Sequence, residues 1–489
     1  MVKRLVSMET TTNQLPDVVR NQVAANLANP EAAEGASLSA AYVANVRQGL
    51  VPSGLGWQGP AVSPVIYEGL SVGGAGFTPE ALFDAYSTAR TAPAQTFYVS
   101  TSGVDTNDGS SGAPFRSLHK AISSANTAGT PTRIYVAAGV YERSRSFYFT
   151  ATAPTVDVAI IATGGKVSTG TFDLVTPAAD ATHTSTYSVA VANCDRVVDT
   201  KNLNRYGNYT DLVAVATAEQ CNRVPGSWAL VGGTLYIHRA DEAAPTPSNT
   251  RVFRNQPFNF LVSSPLNVYM EGFDLEGSPG SAVARVDMQA AGLTASPKAA
   301  VFKDCTFKYG GGSIGTATIG FAASSWNGVV ATFNCAADAN ATDGFNYHNG
   351  QGVAQPDSIT VNCSAKDNGR GNSQSCNGLT YHENCRGIDI AGVYEGNRGG
   401  NIRNIDTSRL YAFGTISKDD KGDKASGGGV DPTAIRIDGS SILWAERVKA
   451  DQPRGQLAWV TGDGTAVIRR RSCVPAPQPD FGPGVFETY

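Results

Sequence analysis

Side chains suited to acid–base chemistry are concentrated between residues 343 and 398 of this 489-residue chain. Two of its five histidines lie there, at the ends of similar hexapeptides, Asp343-Gly-Phe-Asn-Tyr-His348 and Asn377-Gly-Leu-Thr-Tyr-His382. Their offset is 34 residues (382 − 348). If a fold stacks these positions, two charged imidazoles would repel each other, which lowers their pKa and favours a neutral or mixed state. A neutral imidazole is the form that a general base or a metal ligand requires.

Carboxylates in the same window offer a second chemistry. Two carboxylates across a groove can hydrolyse a glycosidic bond, and their separation determines the stereochemical outcome. A lyase would instead use a histidine or lysine base, with Arg398 neutralising a uronate. The predicted catalytic residues are Asp343, His348, His382, Glu383 and Asp389. The residues predicted to bind substrate are Asn346, Glu395 and Arg398.

Repetition alone is a competing explanation for these positions. Outward side chains at equal places in successive repeats are often alike because of duplication and ladder packing. Tyr347 and Tyr381 also recur, and we expect them to be structural. Catalysis, contact with a ligand or partner, and a plain surface therefore all stay open for this window.

The elements that must position these residues recur along the chain. Similar segments around Cys305, Cys335 and Cys363 follow one another at offsets of 30 (335 − 305) and 28 (363 − 335) residues. A recurrence of this length indicates a repeat architecture. Glycine, asparagine, aspartate and serine fill the gaps between the repeated segments, which is the composition of turns.

Within each repeat, apolar and polar residues alternate with the period of a β-strand. Phe345 and Tyr347 alternate with Asn346 and His348, and Ile388 and Ile390 flank Asp389. Short strands, many turns and a fixed repeat predict an all-β fold, a right-handed parallel β-helix whose strands stack about 4.8 Å apart. The three cysteines should then form one inward column, whereas the two histidines and the polar residues should face outward.

Three parts of the sequence resemble known proteins. Tyr98-Val-Ser-Thr-Ser-Gly, Pro114-Phe-Arg-Ser-Leu and Ile134-Tyr-Val-Ala-Ala-Gly-Val-Tyr141 resemble the opening of pectate-lyase-like β-helix proteins, which include bacteriophage tailspikes. The histidine hexapeptides look like β-helix repeats of phage tail proteins. Leu15-Pro-Asp-Val-Val-Arg and Glu34-Gly-Ala-Ser-Leu-Ser are similar to the start of minor tail proteins of actinobacterial phages.

These patterns divide the chain into four predicted domains. They are a helical virion-attachment or trimerisation segment (1–50), a Gly/Pro-rich linker (51–95) with a short helix at 79–86, the β-helix (96–470), and a Pro-rich tail (471–489). A helix at 114–122 should cap the first coil, because an open solenoid end exposes strand edges. An antiparallel side insertion, with a hairpin turn at Gly232-Gly233, should interrupt the coils at about 183–250.

Composition and charge exclude several classes of function. A net charge of −4 offers no basic surface for nucleic acid. No apolar run approaches the roughly 20 residues of a membrane span, and no signal peptide is recognisable. We expect free cysteines and predict no metal site or cofactor. Asp419, Asp420 and Asp423 could hold calcium, but their spacing matches no established calcium loop.

The resemblance implies a phage minor tail protein or tailspike that contacts the host envelope and binds a surface glycan. It further implies a homotrimer at the tail tip of the virion, made in the host cytoplasm and joined to other tail or baseplate proteins through its N-terminal segment. One alternative is a depolymerase, a glycoside hydrolase or lyase acting on host capsule or cell-wall glycan. Another is a free bacterial polysaccharide lyase, whose expected export signal is missing.

Overall fold

The computed structural model describes residues 51–57, 78–289, 291, 294–311, 318–349, 356–370, 376–418, 433–451, 459–462, 464–471, 473 and 482–488. The predicted N-terminal segment (1–50), the three candidate calcium ligands and most of the predicted tail lie outside them. Within these ranges the α-helices are α1 (Pro79–Asp84), α2 (Leu118–Ala128) and α3 (Ala218–Arg223), and Ser53–Leu55 and Arg143–Arg145 are 3-10 helices. No helix in the described part of the chain is both long and apolar enough to cross a membrane.

Two long sheets form two sides of the coils. The first follows a path of parallel strands: Gln95–Val99, Thr132–Tyr141, Val158–Gly170, Val268–Glu271, Lys298–Lys303, Gly328–Phe333, Pro356–Val361, Arg386–Ile390, Arg409–Phe413, Ile442–Glu446, Val467–Arg471 and Val485–Thr488. The second is also parallel: Phe260–Val262, Ala282–Asp287, Ile319–Ser324, Phe345–His348, Asn377–Tyr381, Gly400–Asn404, Ile435–Ile437 and Trp459–Thr461.

A third side completes each coil. Its parallel strands are Ser364–Lys366, Val393–Glu395, Ile416–Lys418 and Lys449–Asp451, with Phe273–Ser278 and Thr306–Gly310 pairing on the same side at the earlier coils. From Val268 to Thr461, each coil contributes one strand to each long sheet and, to the third side, a strand or (at Ala336) a single bridge. Equivalent strands pair in parallel register. The described residues therefore form a parallel β-helix, and the predicted fold class is confirmed.

A left-handed corner carries each coil from the first sheet to the third side. Asp304, Asn334 and Asn362 have φ of 52°, 53° and 52°. Aspartate and asparagine tolerate this conformation better than most residues. The corner N–H groups of Asn334 and Asn362 each donate to a carbonyl of the following coil at 2.9 Å. The corner explains why these short polar residues recur at the coil spacing.

The residue after each corner points inward. Cys305, Cys335 and Cys363 are buried, and backbone hydrogen bonds of 3.0 Å and 2.9 Å link the carbonyls of Cys305 and Cys335 to the next coil at the same level. All eight cysteines of the chain are free thiols. The three-cysteine column is therefore confirmed.

The first sheet is buried on its outer face as well as on its inner face. Outward-pointing Ile359 and Ile388 belong to one apolar cluster with Leu55 and Phe83, which precede the coils in the sequence. The Arg386 guanidinium also donates to the carbonyl of Gly56 at 2.6 Å. Parallel sheets are characteristically covered on both faces. Residues 51–57 and α1, which the sequence suggested as a linker, provide that cover here.

The end of the first coil is closed by α2. Ile122 and Ala125 of this helix are buried in the main core. The predicted capping helix is confirmed, but it begins four residues late, because Phe115 pairs with Tyr98 through a backbone hydrogen bond of 2.9 Å. The short helix predicted at 79–86 is observed as α1.

The side insertion consists of two small sheets. One contains Ala178–Ala179, Tyr187–Ala190, Thr234–His238, Ser227–Val231 and Val213–Ala214, and the other contains Phe172–Asp173, Thr250–Phe253, Arg196–Leu203 and Tyr209–Asp211. Their pairs are antiparallel except that of Val213–Ala214 with Ser227–Val231. The predicted hairpin is confirmed, with φ of 57° and 80° at Gly232 and Gly233. The insertion thus extends beyond the predicted limits of 183 and 250.

Aromatic rings stack inside the coils directly behind the histidine repeats. Tyr347 and Tyr381 are buried, with ring centroids 4.9 Å apart and an interplanar angle of 10°. The Tyr381 hydroxyl lies 2.7 Å from the Ser358 hydroxyl. Gly387 leaves the space that the Tyr381 ring occupies, since a Cβ on this glycine would lie 2.3 Å from the ring. The structural role predicted for both tyrosines is confirmed.

Replacing Gly387 with alanine is expected to lower the free energy of unfolding by about 3 kcal/mol, because the new methyl group overlaps a ring that packing and a hydrogen bond hold in place. Chemical denaturation would measure this. Gly112→Ala is the matched control, because a Cβ there would meet nothing within 4 Å. Equal effects of the two substitutions would show that the Tyr381 ring can move aside.

Candidate functional site

The two histidines form one outward column, as predicted. Tyr347 pairs with Tyr381 in parallel register, so His348 and His382 follow at the same level of two successive coils. The backbone N–H of His382 donates to the carbonyl of Tyr347 at 3.0 Å. The imidazole rings are stacked, with centroids 3.8 Å apart and an interplanar angle of 14°.

Glu383 brings a carboxylate beside these rings. It occupies the left-handed corner at the end of the second sheet, with φ of 49°. Its Oε1 lies 3.1 Å from Nδ1 of His348, and its Oε2 accepts a hydrogen bond from the backbone N–H of Asn349 at 3.0 Å. The carboxylate therefore reaches back from its own coil to the preceding one. We call His348, His382 and Glu383 the histidine site.

The surroundings favour a neutral imidazole at His382. Burial disfavours its charged form, and the neighbouring His348 acts in the same direction. Together they outweigh the attraction of Asp343, Glu383 and Asp406 and lower the pKa of His382 to about 4. At neutral pH this ring is consequently uncharged.

At Glu383 the surroundings favour the charged form of the side chain, in contrast to His382. Partial burial alone would raise the pKa of its carboxyl group, but the hydrogen bonds from His348 and from the Asn349 N–H, with the nearby imidazoles, lower it on balance. Its side chain is 37% exposed. The site therefore presents a carboxylate and a neutral imidazole to solvent at neutral pH.

Asp343 and Asn346 do not belong to this exposed group. Their exposures are only 1% and 4%, which contradicts the predicted surface positions. The Asp343 carboxylate accepts hydrogen bonds from the Asn346 amide at 2.6 Å and from the backbone N–H of Asn377 at 2.7 Å. These contacts join the starts of two neighbouring strands, a position in which both side chains stabilise the coil.

The prediction that Asp389 faces outward is wrong. Asp389 points into the coil and is fully buried, whereas Ile388 and Ile390 point outward into the apolar cluster under α1. The carboxylate accepts hydrogen bonds from the hydroxyls of Thr360 at 2.6 Å, Tyr394 at 2.7 Å and Thr415. The alternation of Asp389 with its two isoleucine neighbours was predicted correctly. The inner and outer faces of the strand were exchanged, because apolar residues cover its outer face as well as its inner one.

Replacing Asp389 with asparagine is expected to stabilise the protein at neutral and alkaline pH. Burial raises the pKa of this carboxyl group, although the hydroxyl hydrogen bonds oppose the shift. Stability should therefore fall as pH rises above the ordinary value of 3.8. Asparagine removes that dependence, so the gain in thermal midpoint should be larger at neutral pH than below pH 3.8.

Asp108→Asn is the control for this measurement. Asp108 is exposed, and its carboxylate accepts a hydrogen bond from the backbone N–H of Ser110 at 2.9 Å, which lowers its pKa. Its replacement should lose stability above pH 3.8, the opposite trend. A lower midpoint for Asp389→Asn at about pH 8 would contradict the expectation.

Glu395, predicted to bind substrate, lies on the third side of the coils in a ladder of alternating charge. Its carboxylate lies 3.8 Å from Nζ of Lys366 and 3.7 Å from Nζ of Lys418, in the preceding and following coils. In the two coils before Lys366, Asp338 and Lys308 continue the alternation, and their charged groups lie 3.1 Å apart. Alternation of sign favours the correct register, which is the ladder packing anticipated as the alternative to function.

Arg398 is exposed but stands apart from the histidine site. It precedes Gly400, which pairs with Asn377 at the start of a second-sheet strand, whereas His382 follows the end of that strand. The strand Asn377–Tyr381 has five residues, which span about 16 Å at 3.3 Å per residue. The structure therefore brings together three of the eight predicted residues, His348, His382 and Glu383.

Three neighbours of the site were missed in the sequence. Asp406 accepts a hydrogen bond from the backbone N–H of Glu383 at 2.9 Å, and the Asn349 amide donates to Asn384 at 2.8 Å. Asp406 lies 23 residues after Glu383 (406 − 383), a shorter offset than the 34 residues of the histidine repeat. Asp406 and Glu383 occupy equivalent corners of successive coils, since both have positive φ. An alignment of the coils by these corners, and not by a constant offset, would have placed Asp406 beside Glu383.

The comparisons with known proteins give the following similarities. Residues 101–184 match a family described as "Protein of unknown function (DUF1565)". No curated protein matches the chain.

Similar solved structures include a glycoside hydrolase (10% identity, TM-score 0.48, covering 81% of this chain and 96% of that one) and pectate lyase Pel9A (10%, 0.34, 83% and 78%). A third is the tailspike protein gp49 from Pseudomonas phage LKA1 (13%, 0.21, 76% and 71%). Identities this low leave the function to be inferred from the chain's own residues.

Proposed function

We propose that the protein binds a glycan of the host cell envelope through the histidine site, as a minor tail protein or tailspike of a phage. The observation that carries the glycan-binding part is the pair of stacked, partly exposed imidazoles beside the Glu383 carboxylate. Flat rings offer packing surface to the apolar face of a sugar, and ring nitrogens, carboxylate and amides offer hydrogen-bond donors and acceptors to hydroxyls.

The rigid fold suits such contacts. The ligand-facing side chains sit at the end of paired strands, and the rings of Tyr347 and Tyr381 stack inside the coil behind them. A site supported in this way loses little conformational entropy when a ligand binds. A repeating polymer could extend over neighbouring coils, because these succeed each other along one axis.

The virion part of the proposal rests on the resemblance of residues 15–39 to minor tail proteins and of residues 98–141 to tailspike-containing β-helix proteins. We propose a homotrimer at the tail tip that is attached to other tail or baseplate proteins by residues 1–50. Sedimentation of the full chain and immunolabelling of virions test this. A monomer that does not associate with virions would overturn this part without touching glycan binding.

Glycan binding can be tested on an array of bacterial capsular and cell-wall polysaccharides. We expect the wild type to retain at least one polymer and His348→Ala/His382→Ala to lose about tenfold or more in affinity for it. His183→Ala is the control, since its ring also meets a carboxylate, Asp180, at 3.0 Å, but in the side insertion. Failure to bind any polymer, or equal binding by the double variant, would overturn the proposal.

A lyase-type depolymerase is the second candidate. The observation in its favour is the contact of 3.1 Å between Nδ1 of His348 and Oε1 of Glu383, because a carboxylate at one ring nitrogen orients an imidazole to accept a proton at the other. Hydrolysis is less well supported, because two of the three candidate carboxylates, Asp343 and Asp389, are buried. Unsaturated products that require His348 would establish a lyase, and new reducing ends without unsaturation would favour hydrolysis.

A further inference from the structure

The histidine site differs from the chain's other histidine–carboxylate contacts. His183 meets Asp180 at 3.0 Å and His238 meets Glu242 at 2.9 Å, each through one ring nitrogen. At the histidine site alone, among the described residues, two imidazoles and a carboxylate come together, with one donor atom from each within 4.8 Å of the others. Convergence of three donors of these types is what a transition-metal site requires.

The donor spacings are close to those of a coordination sphere. Bonds of about 2.0–2.1 Å to a tetrahedral ion place neighbouring ligand atoms about 3.3 Å apart. Nδ1 of His348 and Oε1 of Glu383 already lie 3.1 Å apart. The remaining distances, none above 4.8 Å, need to shorten by at most about 1.5 Å. Rotation of a ring out of the parallel stack would direct its nitrogen towards the same point.

Hydrogen bonds fix both the carboxylate and the backbone of Glu383. Oε2 of Glu383 accepts a hydrogen bond from the Asn349 N–H at 3.0 Å, and the Glu383 N–H donates to Asp406 at 2.9 Å. Hydrogen-bonded ligands of this kind are typical of metal sites, because they fix ligand orientation. Glu383 and Asp406 also supply negative charge for a cation.

Two imidazoles and one carboxylate select the kind of ion. Zn²⁺ and its neighbours Co²⁺ and Ni²⁺ accept nitrogen and carboxylate donors together. Ca²⁺ and Mg²⁺ prefer oxygen ligands. The side chains of His348 and Glu383 are 31% and 37% exposed, so an ion can enter from solvent and keep water at a remaining position.

We propose that His348, His382 and Glu383 bind one divalent transition-metal ion, with Zn²⁺ as the reference ion. Its ligands come from two successive coils, so the ion would link the strands Phe345–His348 and Asn377–Tyr381 on their outer side. Metal binding to the folded chain stabilises it by mass action, which makes the link measurable independently of any activity. Glycan binding is not needed for this site.

The test is a titration of the chelator-treated full chain with Co²⁺, followed by visible absorption, with Zn²⁺ as competitor. We expect one ion per chain and ligand-field bands of a low-coordinate Co²⁺ site that Zn²⁺ abolishes. His348→Ala and His382→Ala should weaken binding by about 100-fold or more, and Glu383→Gln by about tenfold or more. His183→Ala should leave it unchanged.

The thermal midpoint is a second readout, and it distinguishes loss of the metal site from misfolding of a variant. At the same Zn²⁺ concentration, the thermal midpoint of the wild type and of His183→Ala should rise, and that of Glu383→Gln, which alters only a partly exposed side chain, should rise less. The absence of Co²⁺ binding to the wild type would overturn the site. Stoichiometric binding that persists in His348→Ala/His382→Ala would also overturn it, because the ion would then be held elsewhere.

Discussion

Replacing Asn368 with alanine is expected to lower the free energy of unfolding by about 4 kcal/mol. Asn368 is fully buried, and its Oδ1 accepts hydrogen bonds from the backbone N–H and the side-chain amide of Asn340, each at 3.0 Å. Its Nδ2 donates to the carbonyl of Ala337 at 2.9 Å and to Oδ1 of Asn397 at 2.8 Å. Removal leaves at least two buried backbone groups without a partner, at about 1–3 kcal/mol each, and a cavity.

Asn340, Asn368 and Asn397 belong to a ladder of hydrogen-bonded asparagines that continues into the following coils, so the loss of stability should extend along the solenoid. Asn397 donates to Asn401 at 2.7 Å, and Asn401 donates to the carbonyl of Lys418 at 2.9 Å. Urea denaturation followed by circular dichroism measures the loss. Asn202→Ala, at an exposed position, is the control and should change stability by less than about 0.5 kcal/mol. Similar values for the two variants would show that the ladder contributes little.

The part of the fold that could be predicted is the part encoded locally. Each coil repeats the same short strands and the same left-handed corner, so the spacing of Cys305, Cys335 and Cys363 was enough to indicate stacked coils. The histidine column followed from the same rule. The asparagines at 340 and 368 also recur at 28 residues (368 − 340), but the sequence alone did not show that they point inward.

The part that could not be predicted depends on contacts distant in sequence. Alternation in a strand separates two faces but does not say which is the interior. Ile388 and Ile390 face outward because Leu55 and Phe83, roughly 300 residues earlier in the sequence (388 − 83 = 305), cover them. Asp389 consequently lies inside. No periodicity within the repeat contains that information.

In the candidate site, too, only the residues that follow from the repeat could be predicted. His348 and His382 occupy equivalent positions in the repeat, and Glu383 follows directly, so all three could be proposed from the sequence. Asp406 belongs to the next coil, which is shorter, and its contact with Glu383 depends on the corner geometry. The burial of Asp343 reflects hydrogen bonds to its neighbours, a use of a carboxylate that composition cannot distinguish from catalysis.

Lowering the pH from 6.5 to about 4 is expected to destabilise the metal-free protein through His382, by up to about 3 kcal/mol. Folding lowers the pKa of this imidazole from the ordinary 6.5 to about 4, and each unit corresponds to about 1.4 kcal/mol. Between these values the unfolded chain binds more protons than the folded chain. The stability is therefore fully present above pH 6.5 and is lost as the pH falls towards 4. Urea denaturation across this range, with a chelator present, measures the slope.

Two variants separate the causes of the lowered pKa. His382→Gln should remove this contribution to the slope, whereas His348→Gln should reduce it only in part, because burial is the larger cause and repulsion by His348 the smaller one. His183→Gln controls for the loss of an imidazole that lies beside a carboxylate but not beside a second imidazole. An unchanged slope in His382→Gln would mean that other groups carry the acid sensitivity. Complete loss in His348→Gln would mean instead that repulsion between the stacked rings, and not burial, keeps His382 neutral.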